Sequence, residues 1–180
     1  MPIGDPFIQV DLRNFQETTL RLGKSREFML VALNQALRKL GGLLTPRVKA
    51  ETPRGANHKL ANTTVYQVLG KVEDMRLEIR QSAFSQKGFP YGVAVRMGTR
   101  PHFPPIDALV PWVRAILHVP EERVRSVAFL VARKISRVGT EPNPYHIRVF
   151  EASQHEIVET LGEAATNFVA RIADVPEVRL

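Results

Sequence analysis

Five histidines, an isolated aspartate and one dense loop are the residues of this 180-residue chain that could do chemistry. The histidines are His58, His102, His118, His146 and His155. No two stand at the i, i+4 spacing with which a helix face grips zinc, and no carboxylate completes a ligand set in sequence. Cysteine is absent, which removes disulfides, thiolate nucleophiles and cysteine-based metal sites. Hydrolysis calls for a nucleophile on a strained elbow or for two facing carboxylates. The chain has no Gly-x-Ser-x-Gly, and Asp107 is the only acid between Glu78 and Glu121. An acid so placed among arginines is expected in an ion pair or a helix cap. The reading is of a non-enzyme with no catalytic, cofactor-binding or metal-ligating residues; a pocket holding Asp107 near a histidine would argue the contrary.

The dense loop lies in "YGVAVRMGTRPHFPPIDALVPW", Tyr91 to Trp112, which holds four prolines and the only tryptophan. It does not fit a phosphate loop, because the Gly-x-x-x-x-Gly-Lys frame is missing and the following helix opens on prolines, which lack amide donors. Its residues suit an interface better. Gly98 can take positive φ and turn the chain sharply out of a strand. "RPHFPP" is stiff, so ordering it on a partner costs little entropy. Arginine and aromatic side chains are frequent interface anchors. Gly98, Thr99, Arg100, Pro101, His102, Phe103 and Trp112 are therefore the candidate assembly residues, although Trp112 equally suits the buried stripe of an amphipathic helix.

The elements that must position this loop follow from periodicity. "PFIQVDL" alternates as a strand with Ile8, Val10 and Leu12 inward, and a helical segment is expected from Asn14 to a pause at Gly23. Ser25 suits the N-cap of a long helix. In that helix Leu33, Leu37, Leu40, Leu44 and Val48 form one stripe, and a bend or break is expected near Pro46. "ETPRGANHKLANTT" predicts a loop. Strands are predicted from Thr64, Met75 and Tyr91. In the second, Met75, Leu77 and Ile79 alternate with a wet face of Arg76, Glu78 and Arg80. "AFSQKGFP" predicts an extended surface loop. Helices follow with stripes Ile106, Leu109, Val110, Val113, Leu117, then Val124, Val127, Val131, Ile135, and lastly Ile157, Leu161, Ala164, Phe168, Ile172. The order predicts a single α+β domain over 1–180: a long N-terminal helix on a small antiparallel sheet, further C-terminal helices, and an extended arm over 1–23.

The net charge is +7, concentrated in residues 52–119, where nine bases meet four acids. Such a middle suits a polyanion or an acidic protein, and Arg76 and Arg80 are the candidate residues facing a channel or an acidic partner. The longest apolar run, Phe28 to Leu33, is too short for a membrane span, and the N-terminus lacks the pattern of a signal peptide. A soluble protein made in the cytoplasm is expected.

On these segments the chain resembles the tail-completion, or head–tail joining, proteins of long-tailed bacteriophages. In that family a long helix ends in a Pro-x-x-Thr-Gly-x-Leu loop, followed by strands, a Tyr-x-x-x-Val-Glu-x-Gly-Thr element and an aromatic-proline segment leading into a final helix. Here the loop corresponds to Thr52-Pro53-Arg54-Gly55 with Leu60, and the second element to Tyr91, Val95, Gly98 and Thr99. Gly98–Val113 is similar to the variant in which a tryptophan-bearing helix follows, and Arg137–Ala152 resembles the closing segment. The similarity spans residues 28–165. "GANHK" replaces the usual Thr-Gly, and Arg96 stands where a glutamate is common, so any subunit pairing made by that glutamate must differ here. The resemblance implies a virion protein at the neck or tail top, made in the host cytoplasm. Copies would form a ring around the DNA channel, with head-connector and tail-tube or tail-terminator proteins as neighbours, possible passing contact with genomic DNA, no membrane and no cofactor. A tail terminator is the alternative within virion proteins, and a DNA-binding accessory protein the alternative from another class.

Overall fold

The computed structural model describes residues 8–11, 25–71, 74–85 and 88–173. The expected helix over 14–23, Leu12 and the remainder of the N-terminal arm lie outside them. Among the described residues the elements run β1 (Ile8–Asp11), α1 (Ser25–Glu51), α2 (Lys59–Asn62), β2 (Thr64–Leu69), β3 (Arg76–Gln81), α3 (Tyr91–Met97), α4 (Ile106–Leu117), α5 (Glu121–Val138), α6 (Tyr145–Ala152) and α7 (Gln154–Ala173). This is an α+β fold with a long N-terminal helix and a small sheet. No helix among the described residues is long and apolar enough to cross a membrane. The chain divides into two compact units drawn from interleaved stretches.

The larger part of one unit is α1, the sheet, and α6 with α7. Leu33, Leu37, Leu40, Leu44 and Val48 are all buried, as their spacing requires, and Met29, Ala32 and Ala36 extend the stripe. Each fully buried leucine contributes about 1.5–3 kcal/mol. Pro46 does not break the helix, which continues to Glu51. Proline deprives the carbonyl four residues earlier of its donor. That carbonyl belongs to Gly42, which is exposed like Pro46 itself, so water can satisfy it. The sheet order is β1-β3-β2, with β1 antiparallel to β3 and Ile8 opposite Ile79, Val10 opposite Leu77. Tyr66 of β2 lies directly over Gly41 of α1, where any Cβ would overlap its ring. The paired glycines of the long helix are thus one contact point and one exposed position. In α7, Ile157, Ala164 and Phe168 are buried as expected, with Thr160 beside them. Helix α6 arises where only a Gly/Pro-punctuated segment was expected.

The other unit comprises Lys49–Thr64 and Gln81–Tyr145. Helices α4 and α5 are joined by three residues and share a cluster of Val113, Val124 and Ala128, flanked by Ile106, Leu109, Val110, Trp112 and Val127. The buried row of α5 is Val124, Ala128 and Ala132. Val127, Val131 and Ile135 of the expected stripe sit half-buried at its flank, because the two alanines are small enough to let a neighbour close on them. Pro120, Glu121 and Glu122 open α5 as its first-turn chemistry predicts.

The segment Tyr91–Met97 corrects the expectation of a third strand: it is helix α3. Its alternation of Tyr91, Val93 and Val95 fits either period over so short a run, and packing decides. Gly92 is buried, with space for a Cβ only 3.0 Å from Leu60 and 3.5 Å from Gln81. The Val93 amide closes the first turn on the Pro90 carbonyl at 3.0 Å. Gly98 accordingly turns the chain out of a helix and not out of a strand.

Candidate assembly interface

Gly98 and Thr99 do not stand alone. Helix α3 ends at Gly98 with φ 72°, and helix α5 ends at Gly139 with φ 73°. Both glycines have ψ near 180°, a backbone region essentially reserved for glycine. Each is followed by threonine, and the two threonines pair. The Thr99 amide donates to the Thr140 carbonyl at 3.1 Å and the Thr140 amide to the Thr99 carbonyl at 3.2 Å. Their hydroxyls lie 3.0 Å apart. A Cβ on either glycine would overlap the carbonyl oxygen of the threonine opposite. The result is a clasp that ties the ends of two helices. Its signal in the sequence is the repeat Gly-Thr-x-Pro at 98–101 and again at 139–142, which periodicity arguments pass over because neither copy has a helix or strand period.

Beyond the clasp, Arg100, Pro101, His102 and Phe103 are exposed. Their backbone is nevertheless anchored: the His102 amide donates to the Ile135 carbonyl at 3.4 Å, and the His102 ring nitrogen Nδ1 lies 2.9 Å from the Arg100 carbonyl oxygen. Phe103 is 53% exposed and packs against Phe129 of α5, itself 45% exposed, with ring centroids 6.2 Å apart and planes tilted by 58°. Two large apolar rings left half in water mark an interaction surface more than a core. Trp112 is half-buried on the α4–α5 cluster. The structure thus keeps Gly98 to Phe103 together and assigns Trp112 to packing.

Arg76 and Arg80 carry a correction. The face expected to be wet holds Glu78, which is 2% exposed in the central strand. Arg76 donates to Glu78 at 2.8 Å, and Arg80 binds the other carboxylate oxygen. Asp74 adds a longer pair to Arg76 at 3.7 Å. Burial alone would raise the Glu78 pKa, but hydrogen bonds and charge from the two guanidiniums hold it below the ordinary carboxylate value. Both guanidiniums thus share Glu78 as a partner within the chain.

The unit that holds the threonine clasp contains a buried polar node not apparent from sequence. The Gln81 side chain donates to Thr52 Oγ1 at 3.2 Å and to Thr64 Oγ1 at 3.0 Å, and accepts from the Tyr145 hydroxyl at 2.5 Å. Tyr145 is fully buried, which raises its pKa against the opposing pull of Gln81 and the Arg96 charge. The Asn143 amide donates to the Val95 carbonyl at 3.0 Å. The loop at Thr52, the Tyr91–Thr99 element and the segment around Tyr145 therefore meet in one body.

Asp107 faces solvent and pairs with Arg125 at 3.0 Å. No group of three or more acids and histidines that could hold a metal occurs among the described residues. In the other unit, a groove of about 490 Å³ lies between α1 and α7, lined by small residues such as Ala36 and Ala164 and spanned by the Lys39–Glu163 pair at 2.7 Å. Thr160, Asn167 and Arg171 of α7 add to its polar lining. Comparison of the chain with protein-family models, with curated proteins and with solved structures finds no match to any of them.

Proposed function

We propose that this chain is a non-enzymatic structural protein of a long-tailed bacteriophage, acting at the head–tail interface. Copies form a ring around the DNA channel and complete the tail so that it docks on the head. The observation that carries this reading is the convergence of three separated stretches that resemble the tail-completion family. The Thr52 loop, the Tyr91–Thr99 element and the Tyr145 segment are linked through Gln81, through Asn143 to Val95, and through the Thr99–Thr140 clasp. Within the unit that holds these stretches Arg100 to Phe103 stand exposed, which supports their use as an assembly surface. The ring's neighbours in this reading are a head connector on one side and a tail-tube or tail-terminator protein on the other.

The test is electron microscopy of a lysate from phage lacking the gene. DNA-filled heads beside separate, finished tails are expected. Intact infectious virions would remove the reading, and tails without a defined end would assign the chain to tail termination instead. A second reading, a DNA-binding accessory protein, draws on Arg100, Arg133, Lys134 and Arg137, all exposed. It requires binding to duplex DNA that weakens steeply with salt.

A further inference from the structure

We propose that the cationic, aromatic face of α5 docks on the outer stripe of α7 in a second copy of this chain. The inference rests on the ring reading above and names the two surfaces that would meet. Phe129, Arg133 and Arg137 follow one another at steps of four and so share one face of α5, which is exposed along its length. The loop carrying Arg100 and Phe103 lies against the same helix, through the Phe103–Phe129 contact and the His102–Ile135 hydrogen bond. Leu130, 57% exposed, widens the apolar part. Duplex phosphate would satisfy the arginines but gives two phenylalanine rings and a leucine nothing to bury against. A face that is both cationic and apolar fits a partner that is both acidic and apolar.

The chain itself carries such a surface. On α7, Val158, Gly162, Thr166 and Val169 follow at steps of four, four and three, on the side away from the buried Thr160, Ala164 and Phe168. Val158 is 70% and Val169 63% exposed, and nothing lies within 4 Å of where a Cβ of Gly162 would stand, which leaves a flat seat between them. Glu159 borders the stripe and Glu151 stands exposed near the end of α6. The charges match: Glu156 and Glu163 pair within the chain with Arg47 and Lys39, while Glu151 and Glu159 stand exposed to meet Arg133 and Arg137 of α5. Because the two faces differ, the contact is heterologous. Each copy uses both faces once, the arrangement that propagates into a ring or a filament.

The test uses two variants of the full chain, Arg133→Glu with Arg137→Glu, and Glu151→Lys with Glu159→Lys. All four positions are exposed, and unchanged thermal midpoints confirm that both variants fold. In sedimentation velocity at low salt, the wild type is expected to form concentration-dependent oligomers that dissociate as salt rises. Each variant alone should stay monomeric, and an equimolar mixture should associate again, through the intact pair of faces and through the charge-swapped pair. A mixture that stays monomeric, or a wild type that never associates, overturns the proposal. So does salt-dependent binding of duplex DNA that the first variant loses, in a wild type that does not associate. Association by either variant alone also sinks the named surfaces while leaving the ring reading to the phage lysate.

Discussion

Gly41 and Gly42 are neighbours in α1 with opposite surroundings, and substitution should separate them. Alanine at 41 would overlap the Tyr66 ring. Overpacking of that kind costs about 1–3 kcal/mol, against a helix-propensity gain of about 1 kcal/mol. Gly42 has open space around it, so alanine there keeps the gain alone. Thermal unfolding should show Gly41→Ala at or below the wild type and Gly42→Ala above it; the reverse order would mean that Tyr66 does not lie on α1. Glu78 gives a second residue-scale prediction. Its folded pKa lies below its unfolded one, so its contribution is fully present above the ordinary carboxylate range and is lost as pH falls through the folded value. Glu78→Gln should therefore lower stability near neutral pH and flatten the decline on acidification, measured by urea unfolding across a pH series. The exposed pair Arg114–Glu121 should contribute little to that decline, being screened by solvent.

At the scale of elements, the clasp between the ends of α3 and α5 is the feature most open to a single change. Gly98→Ala and Gly139→Ala each force a side chain into a backbone region that costs about 1–3 kcal/mol, and each also collides with a carbonyl that is itself hydrogen-bonded. Either should cause a cooperative loss of stability, and hydrogen exchange should show faster exchange of the Thr99 and Thr140 amides. Retention of wild-type exchange at both amides would argue that the threonine pairing contributes nothing to holding these helices. The same scale shows why sequence misassigned α3. Seven residues of mixed small and apolar type have no decisive period, and the choice was made by Leu60 and Gln81 lying close to Gly92.

For the whole molecule, the prediction concerns assembly without loss of folding. Arg100 is exposed and Phe103 keeps half its surface in water while touching Phe129, so replacing both with alanine should cost about 1–2 kcal/mol and leave the protein folded. Phage carrying Arg100→Ala with Phe103→Ala should nevertheless yield separated heads and tails. Normal virion yield from this double variant would remove the loop from the assembly surface. A folded, soluble variant that fails only in joining would set the role of these residues apart from that of Trp112, which packs on the α4–α5 cluster and whose loss should destabilise the fold itself.

The sequence by itself determined the elements whose burial follows a long, regular period. The α1 stripe from Leu33 to Val48, the α7 face at Ile157, Ala164 and Phe168 and the acidic first turn of α5 all emerge from spacing and capping chemistry, because those signals are local, whereas Leu117 of the expected α4 stripe stands exposed. It also determined that Gly98 would take positive φ, since a turn there admits little else. Tertiary structure alone decided that Glu78 is buried between two arginines, that Gln81 joins Thr52, Thr64 and Tyr145, and that Thr99 meets Thr140. Each of these depends on what a neighbouring element covers or on contact between distant residues, 41 apart for the two threonines and 64 for Gln81 and Tyr145. The Gly-Thr-x-Pro repeat marks both ends of the threonine pair without encoding that they meet; the fold makes such pairings by closing long loops, and their geometry is visible only once it has done so.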